Sequence, residues 1–316
     1  MTKIQYDAEE IEVSAEAFAS KLDLEILQGT GEQMVALSTV NVNRPGMQLA
    51  GFYGHFVAER IQVIGEMEIE YLRGLTQTRR TKAINELMEC DIPCLILSTS
   101  IEPLPEILKC AKKHKRIVLR SKLNTTQLIN KLVIYLNDLL APQKTIHGVL
   151  IDIYGVGVLI VGRSSVGKSE TALALVQRNH RLVADDAVSI KRVNGILIGS
   201  APSVIRNFME VRGIGIIDIS SMYGAGSVRL TKKIDLVVEL EEWDDKKEYD
   251  RLGGDNKTHT ILDVEVSKHI IPIKPGRSLA SILEVAARNY SLKVMGYDTL
   301  KELNDRMAAN TRNSDN

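Results

Sequence analysis

The sequence predicts an α/β fold in two domains, the second organised around a glycine-rich octapeptide. Three observations lead there. The chain has 316 residues, about twice a typical domain. Its first half alternates short β-prone runs with helical stretches. Its second half carries Gly162-Arg163-Ser164-Ser165-Val166-Gly167-Lys168-Ser169 directly after an apolar β-prone run and directly before a helical one.

Residues 1–138 read as a small N-terminal α/β domain. Strand-like stretches fall at Met34–Val40, Ile61–Ile64, Cys94–Ser98 and Arg116–Leu119, with a helix opened by Pro103 and Pro105 between the last two. This β-α-β rhythm predicts a parallel sheet with helices on its faces. Cys90 and Cys94 stand close together, but Cys94 begins an apolar run and no partner cluster accompanies them. A buried, reduced thiol therefore fits better than a zinc ligand. The Gly51-Phe52-Tyr53-Gly54-His55 run is unusual, and its histidine reads as structural. The helical stretch Thr125–Leu140 runs into Ala141-Pro142, which marks the boundary.

Residues 139–316 form the second domain. Gly148–Tyr154 and Val156–Val161 predict a hairpin turning at Gly155 and leading into the glycine loop. A helix is expected over Glu170–Arg178 and one strand over Arg181–Ile190, with further strands at Ile234–Leu240 and His269–Ile273. Ser278 can cap a helix that Gly296 stops, and the polar tail Ala308–Asn316 is expected to fray.

The octapeptide satisfies G-x4-G-K-[ST] at every defined position. Glycines let successive N–H groups converge on one phosphate at a helix N-terminus. Lys168 then reaches the β- and γ-phosphates, and the Ser169 hydroxyl offers an oxygen to Mg²⁺. A chance match would carry the same letters, but the strand before and the helix after supply the context that phosphate binding needs. Leu182-Val183-Ala184-Asp185-Asp186 is an apolar run ending in two carboxylates, one suited to the metal and the other to an acceptor hydroxyl if strand alternation points them apart. Glu210 and Arg212 share a face if extended. From spacing alone that run, like Tyr249–Gly254 with Arg251, reads equally well as a solvated edge or loop.

Taken together these segments resemble the bifunctional HPr kinase/phosphorylase family of bacteria. The resemblance rests on His147-Gly148-Val149, Gly167-Lys168-Ser169-Glu170, Val183-Ala184-Asp185-Asp186, the run Glu210–Ile217, Asp250-Arg251-Leu252-Gly253, Pro272–Arg277 and Glu284-Val285-Ala286-Ala287. Arg60–Gly65 extends it into the first domain. It implies a C-terminal phosphate-loop kinase domain similar to that of phosphoenolpyruvate carboxykinase. The implied activity is phosphorylation of a serine in the phosphocarrier HPr by ATP or pyrophosphate, with Mg²⁺, and phosphorolysis of phosphoserine-HPr by inorganic phosphate to give pyrophosphate. It further implies a homohexamer that links carbohydrate metabolism to catabolite repression. Asp186 would be general base and, in reverse, general acid; His147 would support it, Lys168 and Arg251 would stabilise the transferring phosphoryl, and Ser169 and Glu210 would bind Mg²⁺. Met209–Asp218 would serve both reactions and Pro272–Arg277 chiefly the reverse one. Ala187 departs from the family, which commonly has arginine there, and this puts local anchoring of the aspartate pair in question.

Other classes fare worse. Lys plus Arg and Asp plus Glu both total 40, without the basic excess of a nucleic-acid binder. Asn256-Lys257-Thr258-His259 lacks the aspartate of a guanine-reading N-K-x-D element. The N-terminus lacks the plan of a signal peptide and no run approaches the length of a membrane span, so a cytoplasmic protein is expected, with no membrane partner.

Overall fold

The computed structural model describes residues 10–249, 257–274 and 276–314. The chain divides into two compact units, 1–141 and 142–316.

In the N-terminal unit a five-stranded sheet runs in the order Leu24–Gln28, Val118–Ser121, Leu95–Leu97, Ile61–Ile64, Val42–Asn43. The last four strands are parallel and the first is antiparallel. Because successive side chains point to opposite faces, Val63, Cys94 and Ile96 pack with Phe18, Leu128, Leu132 and Leu136. Ile64, Leu95 and Leu97 pack oppositely, with Ile69, Leu72, Leu87 and Ile107. Both faces are covered, as a parallel sheet requires. Cys94 is fully buried, and burial pushes its thiol pKa up. One expectation is corrected: Met34–Leu37 lies outside this sheet, pairing antiparallel with Ile11–Ser14. The long helix is Thr125–Leu139, capped by Asn124, which accepts the Gln127 amide at 2.9 Å.

The C-terminal unit is built on a six-stranded sheet ordered Arg181–Ala184, Val149–Ile153, Val156–Gly162, Leu236–Glu242, Val264–Ile273, Thr258–Ile261. The expected hairpin is present, with Ile153 opposite Val156 across Tyr154-Gly155. Both turn residues have positive φ, 52° and 87°, the twist that suits a two-residue hairpin turn. One face packs against the helices Lys168–Val176 and Leu279–Val294. The other meets a second sheet of Gln143–His147, Ala187–Val193, Ile196–Ser200 and Thr231–Lys233.

Three sequence readings change here. The helix after the glycine loop starts at Lys168, two residues earlier than expected, because Gly167 itself is the N-cap. The single strand expected over Arg181–Ile190 is two strands in two sheets, broken at Asp185-Asp186, where Asp186 adopts φ 66° and cannot continue a ladder. The tail expected to fray is helical through Ser314, in a stretch with neither glycine nor proline to stop it.

Candidate active site

The glycine loop takes its shape from two residues. Gly162 ends its strand with φ 146°, and a Cβ there would lie 2.5 Å from the Leu240 carbonyl, so any other residue would force the strands apart. Gly167, at φ 90°, turns the chain into the helix. Among the described residues, the only amide of Ser164–Ser169 bonded to a backbone carbonyl is that of Val166, which donates to Arg163 at 3.4 Å. The remaining amides belong to Ser164, Ser165, Gly167, Lys168 and Ser169, which line the cleft at a helix N-terminus, the position that favours an anion. Lys168 crosses this mouth, its Nζ donating to the carbonyls of Gly162 at 3.1 Å and Arg163 at 3.0 Å. Burial lowers its pKa, while Asp185 and Asp186 pull the other way.

The aspartate pair is split by the break between the sheets. Asp185 is 4% exposed. It accepts the Ser169 hydroxyl at 2.8 Å and the Glu210 amide at 3.3 Å. Burial nevertheless raises its carboxyl above the ordinary range, against the pull of those hydrogen bonds. Asp186 is exposed, and its carboxylate lies 3.1 Å from His147 Nδ1. The ladders explain this contact: Ala187 is opposite His147 in the second sheet, and the Gly148 amide donates to the Asp186 carbonyl at 3.0 Å. Strand alternation was expected to divide the two carboxylates; a left-handed residue at a sheet junction does it instead.

Glu210 is the penultimate residue of the strand Phe208–Val211, whose partner is Gly215–Asp218. Arg212 follows at the turn and donates to the Ser165 hydroxyl at 2.8 Å, tying this hairpin to the glycine loop.

One cleft is therefore lined by His147, Ser164, Ser165, Gly167, Lys168, Ser169, Asp185, Asp186 and Glu210, all singled out in the sequence, together with Glu170 and Arg212. Gly162, Arg163 and Val166 supply the loop's frame. Arg251 and its neighbours from Asp250 to Asn256 lie outside the described residues, as does Pro275 within Pro272–Arg277. Arg212 was visible in sequence as a same-face partner of Glu210 and as part of the run Glu210–Ile217 that carries the family resemblance. Its bond to Ser165 depends on the hairpin turn, which spacing does not give.

A loop of this kind, with a buried lysine and carboxylates at its rim, is the apparatus of phosphate-loop proteins that handle phosphoryl groups. Known proteins narrow the class. Residues 138–307 match the model described as HPr Serine kinase C-terminal domain, and residues 13–136 match HPr Serine kinase N terminus. The chain is 50% identical over 296 residues to the HPr kinase/phosphorylase of Alkaliphilus metalliredigens, covering 93% of this chain and 96% of that one. It is 49% identical to that of Caldanaerobacter subterraneus, covering 93% and 97%. A solved structure, the Hpr(Ser) kinase/phosphatase from Coxiella burnetii, is 38% identical and covers 51% of this chain and 98% of its own, with a TM-score of 0.46. This chain belongs to the HPr serine kinase family.

Proposed function

We infer that the chain transfers a phosphoryl group from ATP or pyrophosphate to a serine of HPr, and returns it from phosphoserine-HPr to inorganic phosphate as pyrophosphate. The observation that carries this reading is the meeting, in one cleft, of the Lys168 loop and the His147–Asp186 pair, in a chain of this family. In the forward direction the serine oxygen bonds to phosphorus, the bond to the donor's leaving oxygen breaks, and Asp186 takes the serine proton. In reverse a phosphate oxygen attacks the same phosphorus and Asp186 gives the proton back to the departing serine, as microscopic reversibility demands. His147, 3.1 Å away, orients Asp186. Lys168 holds the transferring phosphoryl and Arg251 stabilises its charge, the latter assignment resting on sequence resemblance alone.

Ser169 and Glu210 would hold Mg²⁺, with Asp185 behind them. No group of three or more carboxylate, histidine or cysteine side chains suited to a metal is present among the described residues. An ion bound there would be held largely by phosphates and water, with one or two protein oxygens. The buried Asp185, hydrogen-bonded to Ser169 at 2.8 Å, is the anionic anchor such an ion needs. When bound, Mg²⁺ neutralises charge on the phosphates. Assembly as a homohexamer and a cytoplasmic role in catabolite repression follow the same family resemblance. No helix among the described residues is long and apolar enough to cross a membrane.

The test is incubation with HPr, Mg²⁺ and ATP, then a chase with inorganic phosphate while pyrophosphate is assayed. Phosphoserine followed by pyrophosphate is expected; absence of both overturns the reading. Asp186→Asn is expected to keep nucleotide binding and lose at least about 10²-fold in both directions.

A further inference from the structure

Three segments bring the cleft together, and each has a far end. The strand Val156–Gly162 begins at the turn Tyr154-Gly155 and ends at the glycine loop. The helix Lys168–Val176 begins at that loop and runs away from it, and the strand Arg181–Ala184 returns to end at the aspartate pair. The returning strand is the least secured of the three. It is four residues long, lies at the edge of the six-stranded sheet, and its pairing with Val149–Ile153 shifts register between Leu182 and Ala184. On its outer side Leu182 meets Val228 in an isolated bridge, with the Arg229 amide donating to the Leu182 carbonyl at 2.8 Å. A register shift interrupts the ladder and bends the strand, so what holds its start governs what its end delivers.

That start is clamped from the helix Leu279–Val294. Asn179, at φ 66°, turns the chain out of the preceding helix, and the His180 amide donates back to the Leu175 carbonyl at 3.1 Å. The His180 side chain is 3% exposed, and its Nε2 lies 3.0 Å from Glu284 Oε1. Glu284 Oε2 accepts Arg178 Nη1 at 2.9 Å from the other side of the same turn, and Arg178 also donates to the Ser281 hydroxyl. In the hairpin turn, the Tyr154 ring stands perpendicular to that of His180, with centroids 4.6 Å apart, and its hydroxyl lies 3.5 Å from Glu284 Oε1. The far ends of all three segments thus meet around one carboxylate. The His180 hydrogen bond, with Arg178, holds the Glu284 carboxyl below its ordinary range against the pull of burial.

We propose that Glu284 is a positioning residue for phosphoryl transfer: through His180 and Arg178 it fixes where the strand Arg181–Ala184 starts, and hence where Asp185 and Asp186 stand against Lys168. The inference rests on the functional reading above. Asp185 and Asp186 follow this short strand directly, so a shift at His180 is carried to them along an extended segment. Glu284 touches no reacting group. Its effect falls on the placement of the acceptor's base, where an error of about 1 Å can cost on the order of 10²-fold in rate.

The experiment measures kcat and KM for HPr phosphorylation by ATP in wild type, Glu284→Ala, Glu284→Gln and Arg178→Met, and repeats Glu284→Ala in the Asp186→Asn background. Glu284→Ala is expected to lower kcat about ten-fold or more and to change KM for ATP by less than about two-fold, because the glycine loop keeps its own frame. Glu284→Gln keeps an oxygen for Arg178 and an amide group for the His180 ring, so it should recover most of the loss. Arg178→Met removes half of the clamp at a half-exposed position and should lower kcat about three-fold; it decides the question if Glu284→Ala does not fold. Beside Asp186→Asn, Glu284→Ala should cost less than about two-fold, because the group it positions is gone. The clamp is overturned by unchanged kcat in folded Arg178→Met or Glu284→Ala, or by a rise in KM for ATP in place of the fall in kcat. A Glu284→Gln variant no better than Glu284→Ala, or an undiminished loss beside Asp186→Asn, overturns it too. Wild-type protein that does not phosphorylate HPr overturns instead the functional reading on which it rests.

Discussion

Glu68 in the N-terminal unit and Asp185 in the C-terminal unit are both buried carboxylates that accept a backbone amide and a side-chain donor, yet they are poised oppositely. Glu68 takes the Gly65 amide at 2.9 Å and the Arg44 guanidinium at 2.8 Å. Burial alone would raise its pKa; the Arg44 and Gly65 hydrogen bonds outweigh that and hold it below 4.5. Asp185 receives a neutral hydroxyl and an amide, has no ion-pair partner within 4.0 Å among the described residues, and burial prevails. One negative charge is settled at a helix start. The other has no cation beside it among the described residues, and burial holds its proton longer.

The sharpest way to break this contrast is at the lysine facing Asp185. Lys168→Ala is expected to lower both phosphorylation and phosphorolysis by about 10³-fold or more, measured as phosphoserine-HPr and pyrophosphate, with the circular dichroism of the fold intact. Retained activity would mean that the loop does not hold the phosphoryl. Glu68→Gln should do the reverse: a loss of about 1–3 kcal/mol of stability in denaturant melts, from an unpaired Arg44 and a weakened helix start, with kcat preserved. Because Glu68 has its pKa depressed in the fold, its stabilisation is complete above 4.5 and fades as pH falls through the folded value. The gap between wild type and Glu68→Gln should therefore narrow in acid. Asp185→Asn should give the smallest effect and the opposite sign. A carboxyl raised by burial costs stability as pH climbs above 3.8, since the folded state keeps its proton longer. Without Mg²⁺ or nucleotide, the thermal midpoint of Asp185→Asn relative to wild type should improve from about pH 4 to about pH 8. A gap that does not move with pH would contradict the assigned environment.

What sequence revealed and what it hid divide along the same physical line. The glycine loop was legible because its function needs particular residues at fixed spacing, and local backbone geometry follows from them. The hairpin before it and the parallel strands of the first unit were legible through periodicity and turn residues. The junction at Asp185-Asp186 was not, because Arg181–Ile190 reads as one strand, and only tertiary pairing reveals that Ala184 and Ala187 join different sheets. The contact of Glu284 with His180 was hidden for a related reason: the two are 104 residues apart, and no spacing rule connects them. Met34–Leu37 was recognisable as a strand, but its partner Ile11–Ser14 was not.

The handover from one sheet to the other also fixes a length. Ala184 is registered against Leu150 and Ala187 against His147, so only two residues span the gap and both ends are clamped. Adding or deleting one would turn every side chain of Ala187–Val193 to the wrong face and carry the Asp186 carboxylate away from His147. A substitution at this joint leaves the register of Ala187–Val193 in place, whereas a change of length does not.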